Sequence, residues 1–149
     1  MPREIDVFDP RLGRETTQGI GWVRSTDSIA ITIPAGTATV AVVTALAAGF
    51  KRYLESAVAY VGVAGTGAGA TRTLEVLKNG SVVVATGTVT LAGTATPGAA
   101  TALAVTDANA EFLDADTLTV DFPTAGAVAF TAGTLVLVLK WRTRPQQLT

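Results

Sequence analysis

The chain has no histidine and no cysteine among its 149 residues, and only one methionine, two tryptophans and two tyrosines. Without histidine, Ser-His-Asp and Cys-His nucleophilic arrangements are impossible, and the commonest general acid–base side chain is missing. Without cysteine there are no disulfides and no thiolate metal ligands, so the chain carries no signal of redox compartment. Charge is sparse as well. Asp, Glu, Lys and Arg make up 15% of residues and sum to a net charge of −1, which leaves no basic footprint for nucleic acid. No window holds a long, uninterrupted amphipathic helical period.

Ala, Thr, Val and Gly together exceed half of the sequence. Small and β-branched residues suit pleated sheet. With few large aliphatic side chains, the core should be thin, as between two sheets about 10 Å apart. The length suits one domain with a real core.

Charge divides the chain. Residues 1–27 hold nine of its charged side chains together with Pro2, Pro10, Gly13, Gly19 and Gly21. This segment reads as an extended N-terminal arm, ordered only if something holds it down, and residues 28–149 read as a β-sandwich body. The first ten residues are polar and charged, which predicts no secretory signal. Residues 28–50 are uncharged and long enough to span a bilayer. Pro34, Gly36 and Gly49, the interleaved threonines and the alternation of Ile29, Ile31 and Ile33 predict strands there instead.

The sharpest local signal is Asn79-Gly80, flanked by Arg72–Lys78 and Ser81–Thr86. It predicts a type I′ hairpin turn with positive φ at both residues. A two-residue loop would set Lys78 opposite Ser81, Val76 opposite Val83 and Leu74 opposite Ala85. Leu118, Val120 and Phe122 alternate with polar residues, and Leu135, Leu137, Leu139 and Trp141 should form an inward row with Lys140 and Arg142 outward. Further candidate strands are residues 28–33, 37–45, 53–63, 87–91 and 100–105. Leu46, Phe50, Tyr53, Leu54 and Ala57 keep helical spacing, a competing signal that Gly49 interrupts. The expected fold is all-β, a single antiparallel sandwich or jelly roll of about eight strands. Uncharged strands and a mean hydropathy of +0.42 would leave a lone sandwich with exposed edges, so a closed homo-oligomer is expected to cover them.

Motifs for chemistry are weak. Gly65-Thr-Gly67-Ala-Gly69-Ala70 matches a dinucleotide fingerprint in letters, but the hairpin stands where the helix should begin, and no lysine follows for a phosphate loop. Asp107, Glu111, Asp114, Asp116 and Asp121 could suit a hard cation, yet their spacing fits no EF-hand and reads as a solvated loop. Asn79-Gly80-Ser81 is formally a glycosylation acceptor, and the turn accounts for it. Glu55, Glu75 and Glu111 could supply a carboxylate pair for sugar hydrolysis, but nothing in sequence brings two together. These features predict a protein without catalysis, cofactor or metal.

The arm mixes Arg3, Arg11, Arg14 and Arg24 with Glu4, Asp6, Asp9, Glu15 and Asp27. Mixed charge suits a protein surface better than nucleic acid. Ile5, Phe8, Ile20 and Trp22 are the candidate apolar anchors, with Arg11 and Arg14 beside them.

The stretch Ala110-Glu-Phe-Leu-Asp-Ala-Asp-Thr-Leu-Thr-Val-Asp-Phe122, followed by a small-residue loop and Leu135-Val-Leu-Val-Leu-Lys-Trp-Arg142, resembles the closing strands of tailed-bacteriophage virion β-sandwich proteins. The hairpin Leu74-Glu-Val-Leu-Lys-Asn-Gly-Ser81 resembles theirs too. The likeness covers roughly residues 54–142 and lies in style and spacing. It implies a structural virion protein: a capsid decoration (cement) protein, trimeric, on the lattice of the major capsid protein, with the arm gripping neighbouring capsomers. A tail, neck or fibre component is the second expectation. A carbohydrate-binding module is a third, with few aromatic rings to serve it. No membrane or nucleic-acid partner is expected.

Overall fold

A computed structural model describes residues 22–33, 38–42, 49–65, 71–90, 95–123 and 133–145. They form nine strands: β1 (Val23–Thr32), β2 (Ala38–Val42), β3 (Phe50–Val63), β4 (Thr71–Lys78), β5 (Val82–Thr90), β6 (Ala100–Val105), β7 (Glu111–Phe112), β8 (Leu118–Phe122) and β9 (Thr134–Pro145). One 3-10 turn, Asp107–Asn109, precedes β7. The described residues contain no helix long and apolar enough to cross a membrane.

The strand order is β1-β9-β3-β6-β5-β4-β8-β2, with β7 added to β3. All pairs are antiparallel. β6 turns the corner between the two sheets. Its first residues pair with β3, from Tyr60↔Ala100 to Ala57↔Leu103, and its last two pair with β5 as Thr86↔Ala104 and Ala85↔Val105. The chain runs out through β1 to β4 in alternating sheets and folds back so that β8 lies between β4 and β2, and β9 between β1 and β3. That is the double-sheet jelly roll, and the all-β expectation holds.

The core follows strand parity. Leu135, Leu137, Leu139 and Trp141 are buried along β9 while Lys140 is exposed. Leu54, Ala57 and Ala59 from β3 and Leu74, Val76 and Phe122 from the opposite sheet complete the same cluster. Arg72 also points inward. It is fully buried, with its guanidinium carbon 5.4 Å from the Phe122 ring centroid, and burial lowers its pKa from the ordinary guanidinium value.

The structure departs from the sequence expectations in two places. β1 begins at Val23, paired with Thr143, so residues 23–27 belong to the sheet and not to an arm. The strand expected over residues 53–63 is present and prevails over the competing helical spacing: Phe50–Val63 is strand, with Leu54 and Ala57 inward. The hairpin turn is present, with φ of 53° at Asn79 and 71° at Gly80 and Ser81 N–H donating to the Lys78 carbonyl at 3.3 Å. Its register is different, however. Lys78 faces Val82, Val76 faces Ala85 and Leu74 faces Gly87, with a shift between Val76 and Leu77. Val84 is the extra residue, and the bulge lets both Val84 and Ala85 be buried. On its other side β4 is held to β8, Lys78 facing Leu118.

Candidate functional site

One end of the β1-β9-β3 sheet carries a cation–aromatic ladder on its outer face. Strand parity puts Arg24, Arg142 and Tyr53 in one cross-strand row, through Arg24↔Arg142 and Tyr53↔Arg142. In the next row Arg144 lies opposite Lys51. The Arg142 guanidinium carbon is 4.6 Å from the Tyr53 ring centroid and 5.1 Å from that of Trp22. Arg144 approaches the Trp22 ring to 4.6 Å. Guanidinium planes stack on the negative faces of such rings.

Glu55 enters this row because β3 bulges. Leu54 faces Trp141 and Ser56 faces Lys140, which leaves Glu55 as the extra residue. A bulge re-aims a side chain; here the Glu55 carboxylate lies 3.0 Å from Arg24 Nε and 3.4 Å from Arg142 Nε. The Arg144 Nε is buried without a hydrogen-bond acceptor, and the Arg142 Nε has the Glu55 carboxylate as an ion-pair partner without an aligned hydrogen bond. Burial raises the Tyr53 pKa above the usual 10.0, interaction with the Asp107 carboxylate raises it further, and Arg142 opposes both.

The inner face at this end repeats the chemistry. Arg52 is nearly buried and donates to Asp27 at 2.9 Å. The Trp141 ring meets the Phe112 ring edge-on, with centroids 5.4 Å apart, and Lys78 Nζ lies 5.6 Å from the Phe112 centroid.

Of the anchors expected in the arm, Trp22 alone is among the described residues, half-buried on β9. Ile5, Phe8, Arg11, Arg14 and Ile20 lie outside them, as does most of Gly65–Ala70. The strand β4 follows that glycine stretch.

The acidic residues of 107–121 are spread over separate structural bonds. Glu111 pairs with Lys51. Asp114 accepts from Gly49 N–H at 2.8 Å, and Asp121 accepts from the Thr39 hydroxyl at 2.8 Å. Asp116 accepts from Leu113 N–H at 2.8 Å and from the Asn79 amide at 2.6 Å. Among the described residues no group of three or more carboxylates gathers to hold a metal ion. Glu55, Glu75 and Glu111 go to different neighbours: two arginines, the facing Asp121 and Lys51.

The ladder was not visible in sequence because its members come from β1, β3 and β9. The signal available was Arg142 and Arg144 sharing the outward parity of β9. Their aromatic neighbours follow only from the strand order.

The next row on the same face, Thr26–Lys140–Ser56, still carries the exposed Lys140, and beyond it the face is uncharged. Two rows run across four strands: Ala30–Val136–Tyr60–Ala100 and Ser28–Val138–Val58–Ala102. Ser28, Ala30, Tyr60, Ala100 and Ala102 are exposed and the valines are half-buried.

No family model matches the chain, and no curated protein matches it. A solved structure described as Bacillus endospore appendages, a family of disulfide-linked pili, is similar with a TM-score of 0.39 and 16% identity, covering 85% of this chain and 92% of that one. This chain has no cysteine for such links.

Proposed function

We propose that this chain is a structural virion protein of a tailed phage, a capsid decoration protein that binds and stabilises the lattice of the major capsid protein and acts without catalysis. The observation that carries the reading is the outer face of the β1-β9-β3-β6 sheet. It is uncharged across four strands at one end and ends in the Trp22–Arg142–Arg144 ladder at the other. An uncharged exposed sheet face suits burial against protein, and the guanidinium ladder suits carboxylates at the rim of such a contact. The resemblance of residues 54–142 to phage virion sandwiches supplies the class of assembly. Residues 1–21 continue from Trp22, so the arm in this reading leaves from the ladder. Self-association as a trimer covers the edges β1 and β2.

The test is co-sedimentation of the purified protein with capsids and, separately, with tails from the phage whose genome carries the gene. Saturable binding to capsids, with a rise in capsid melting temperature as occupancy rises, is the expected result. Binding to tails alone would move the protein to the tail or neck. Binding to neither, with retention on a glycan array, would replace the reading by a carbohydrate-binding one. Light scattering at micromolar concentration should give a trimer.

A further inference from the structure

The hairpin tip has a second role that turn geometry does not require. Asn79 holds the loop between β7 and β8 through four bonds: its side-chain amide donates to Asp116 Oδ1 at 2.6 Å, its side-chain oxygen accepts from Thr117 N–H at 2.9 Å and from the Thr117 hydroxyl at 3.5 Å, and its backbone N–H donates to the Thr117 carbonyl at 2.9 Å. Asp116 in turn closes its own loop by accepting from Leu113 N–H. The next residue is Gly80, exposed, with nothing within 4 Å of where a Cβ would stand. An asparagine followed by an unhindered glycine is the arrangement in which a backbone nitrogen can attack a side-chain amide.

We propose that Asn79 is a self-modification site: its deamidation releases the β7–β8 loop from the hairpin, and the bonds to Asp116 and Thr117 hold it in the amide form. The Gly80 nitrogen loses its proton and bonds to Asn79 Cγ. The Cγ–Nδ2 bond breaks and ammonia leaves, giving a cyclic imide. Water then opens the imide at either carbonyl to aspartate or isoaspartate. To reach the imide, the Asn79 side chain must swing off both of its partners, one of them a charge-assisted bond. Either product removes the donor to Asp116 and places a carboxylate against a carboxylate. Isoaspartate also adds a backbone carbon within a turn that needs positive φ at both central residues.

The experiment incubates the full chain at mildly alkaline pH, folded and in parallel unfolded in urea, and follows Asn79 by peptide mass spectrometry. The folded chain should deamidate slower by roughly tenfold or more, the scale set by losing one or two hydrogen bonds. Asp116→Ala should bring the folded rate towards the unfolded one. Asn79→Asp, which mimics the product, should speed amide exchange at Leu113 and Thr117 while β9 stays protected. Equal rates in folded and unfolded chains overturn the protection. So does an unchanged folded rate in Asp116→Ala. Wild-type exchange at Thr117 in Asn79→Asp overturns the coupling. Should Asp116→Ala not fold, the wild-type comparison and Asn79→Asp still decide.

Discussion

The guanidinium carbon of Arg52 lies 4.4 Å from the centroid of the Trp141 ring, so a cation covers one face of the largest fully buried side chain in the core. Arg52 is held there by Asp27 across the sheet. Replacing Arg52 by Ala uncovers the ring and leaves Asp27 without its cation. The expected loss is about 2–4 kcal/mol, the range for breaking a partly buried pair together with a desolvated cation–π contact. Arg52→Lys keeps the charge without the plane and should fall between. Urea unfolding in a Trp22→Phe background, where Trp141 alone reports, measures both.

Tyr53 should set an alkaline limit on stability. Its pKa is raised in the folded state by burial and by Asp107. Below the unfolded value of about 10 both states hold the proton and the contribution to stability is complete. As pH climbs above that value, the unfolded chain ionises first and stability falls until the folded pKa is passed. Denaturant unfolding between neutral pH and pH of about 11 should show this decline, and Tyr53→Phe should make it shallower.

Two glycines are tied to specific geometry. Gly80 has φ of +71°, where a β-branched side chain is strained, so Gly80→Val should cost about 1 kcal/mol or more. Gly87 faces β6 as it crosses between sheets. A Cβ there would stand 2.6 Å from Leu103 Cδ2 and 3.4 Å from Leu103 Cα. Gly87→Ala should cost about 1–3 kcal/mol through overpacking. A melting temperature equal to that of the parent for either variant would contradict the hairpin register or the corner at β6.

Much of the fold was legible because its strands alternate. The row Leu135, Leu137, Leu139 and Trp141, the strand 100–105 and the strand 118–122 stand where period-two patterning puts them. What escaped has physical causes. Residues 23–27 read as arm because Arg24, Ser25, Thr26 and Asp27 are polar, yet they form an edge strand whose inward Asp27 is satisfied by Arg52 from β3. The Val84 bulge is a tertiary choice, with β5 yielding one residue so that two side chains reach the core. Arg72 has the same parity as Leu74 and Val76, but a cation is not what composition leads one to place between sheets. The ladder required knowing that β9 inserts between β1 and β3.

The arm and its root can be separated by experiment. Because β1 starts at Val23, deletion of residues 2–21 removes the arm and leaves the first strand whole. The truncated chain should fold, with the thermal transition of the parent, and, under the proposed decoration role, fail to bind capsids. Trp22→Ala keeps the arm and removes the ring that lies against Arg142 and Arg144. On the stability side it should cost about 0.5–1 kcal/mol, as for a solvent-facing cation–π contact. On the binding side it should weaken capsid association more than that loss explains, because an arm without a fixed root has more orientations to give up on docking. Glu55→Gln should leave Trp22 seated against Arg142 and Arg144 while freeing Arg24 and Arg142 from their carboxylate, and so change the salt dependence of binding more than its strength at low salt. Sedimentation of each variant with capsids over a salt series measures all three. Full-affinity decoration by the chain lacking residues 2–21 would place the grip on the jelly roll itself, with the uncharged rows around Tyr60 and Val58 as the surface to substitute next.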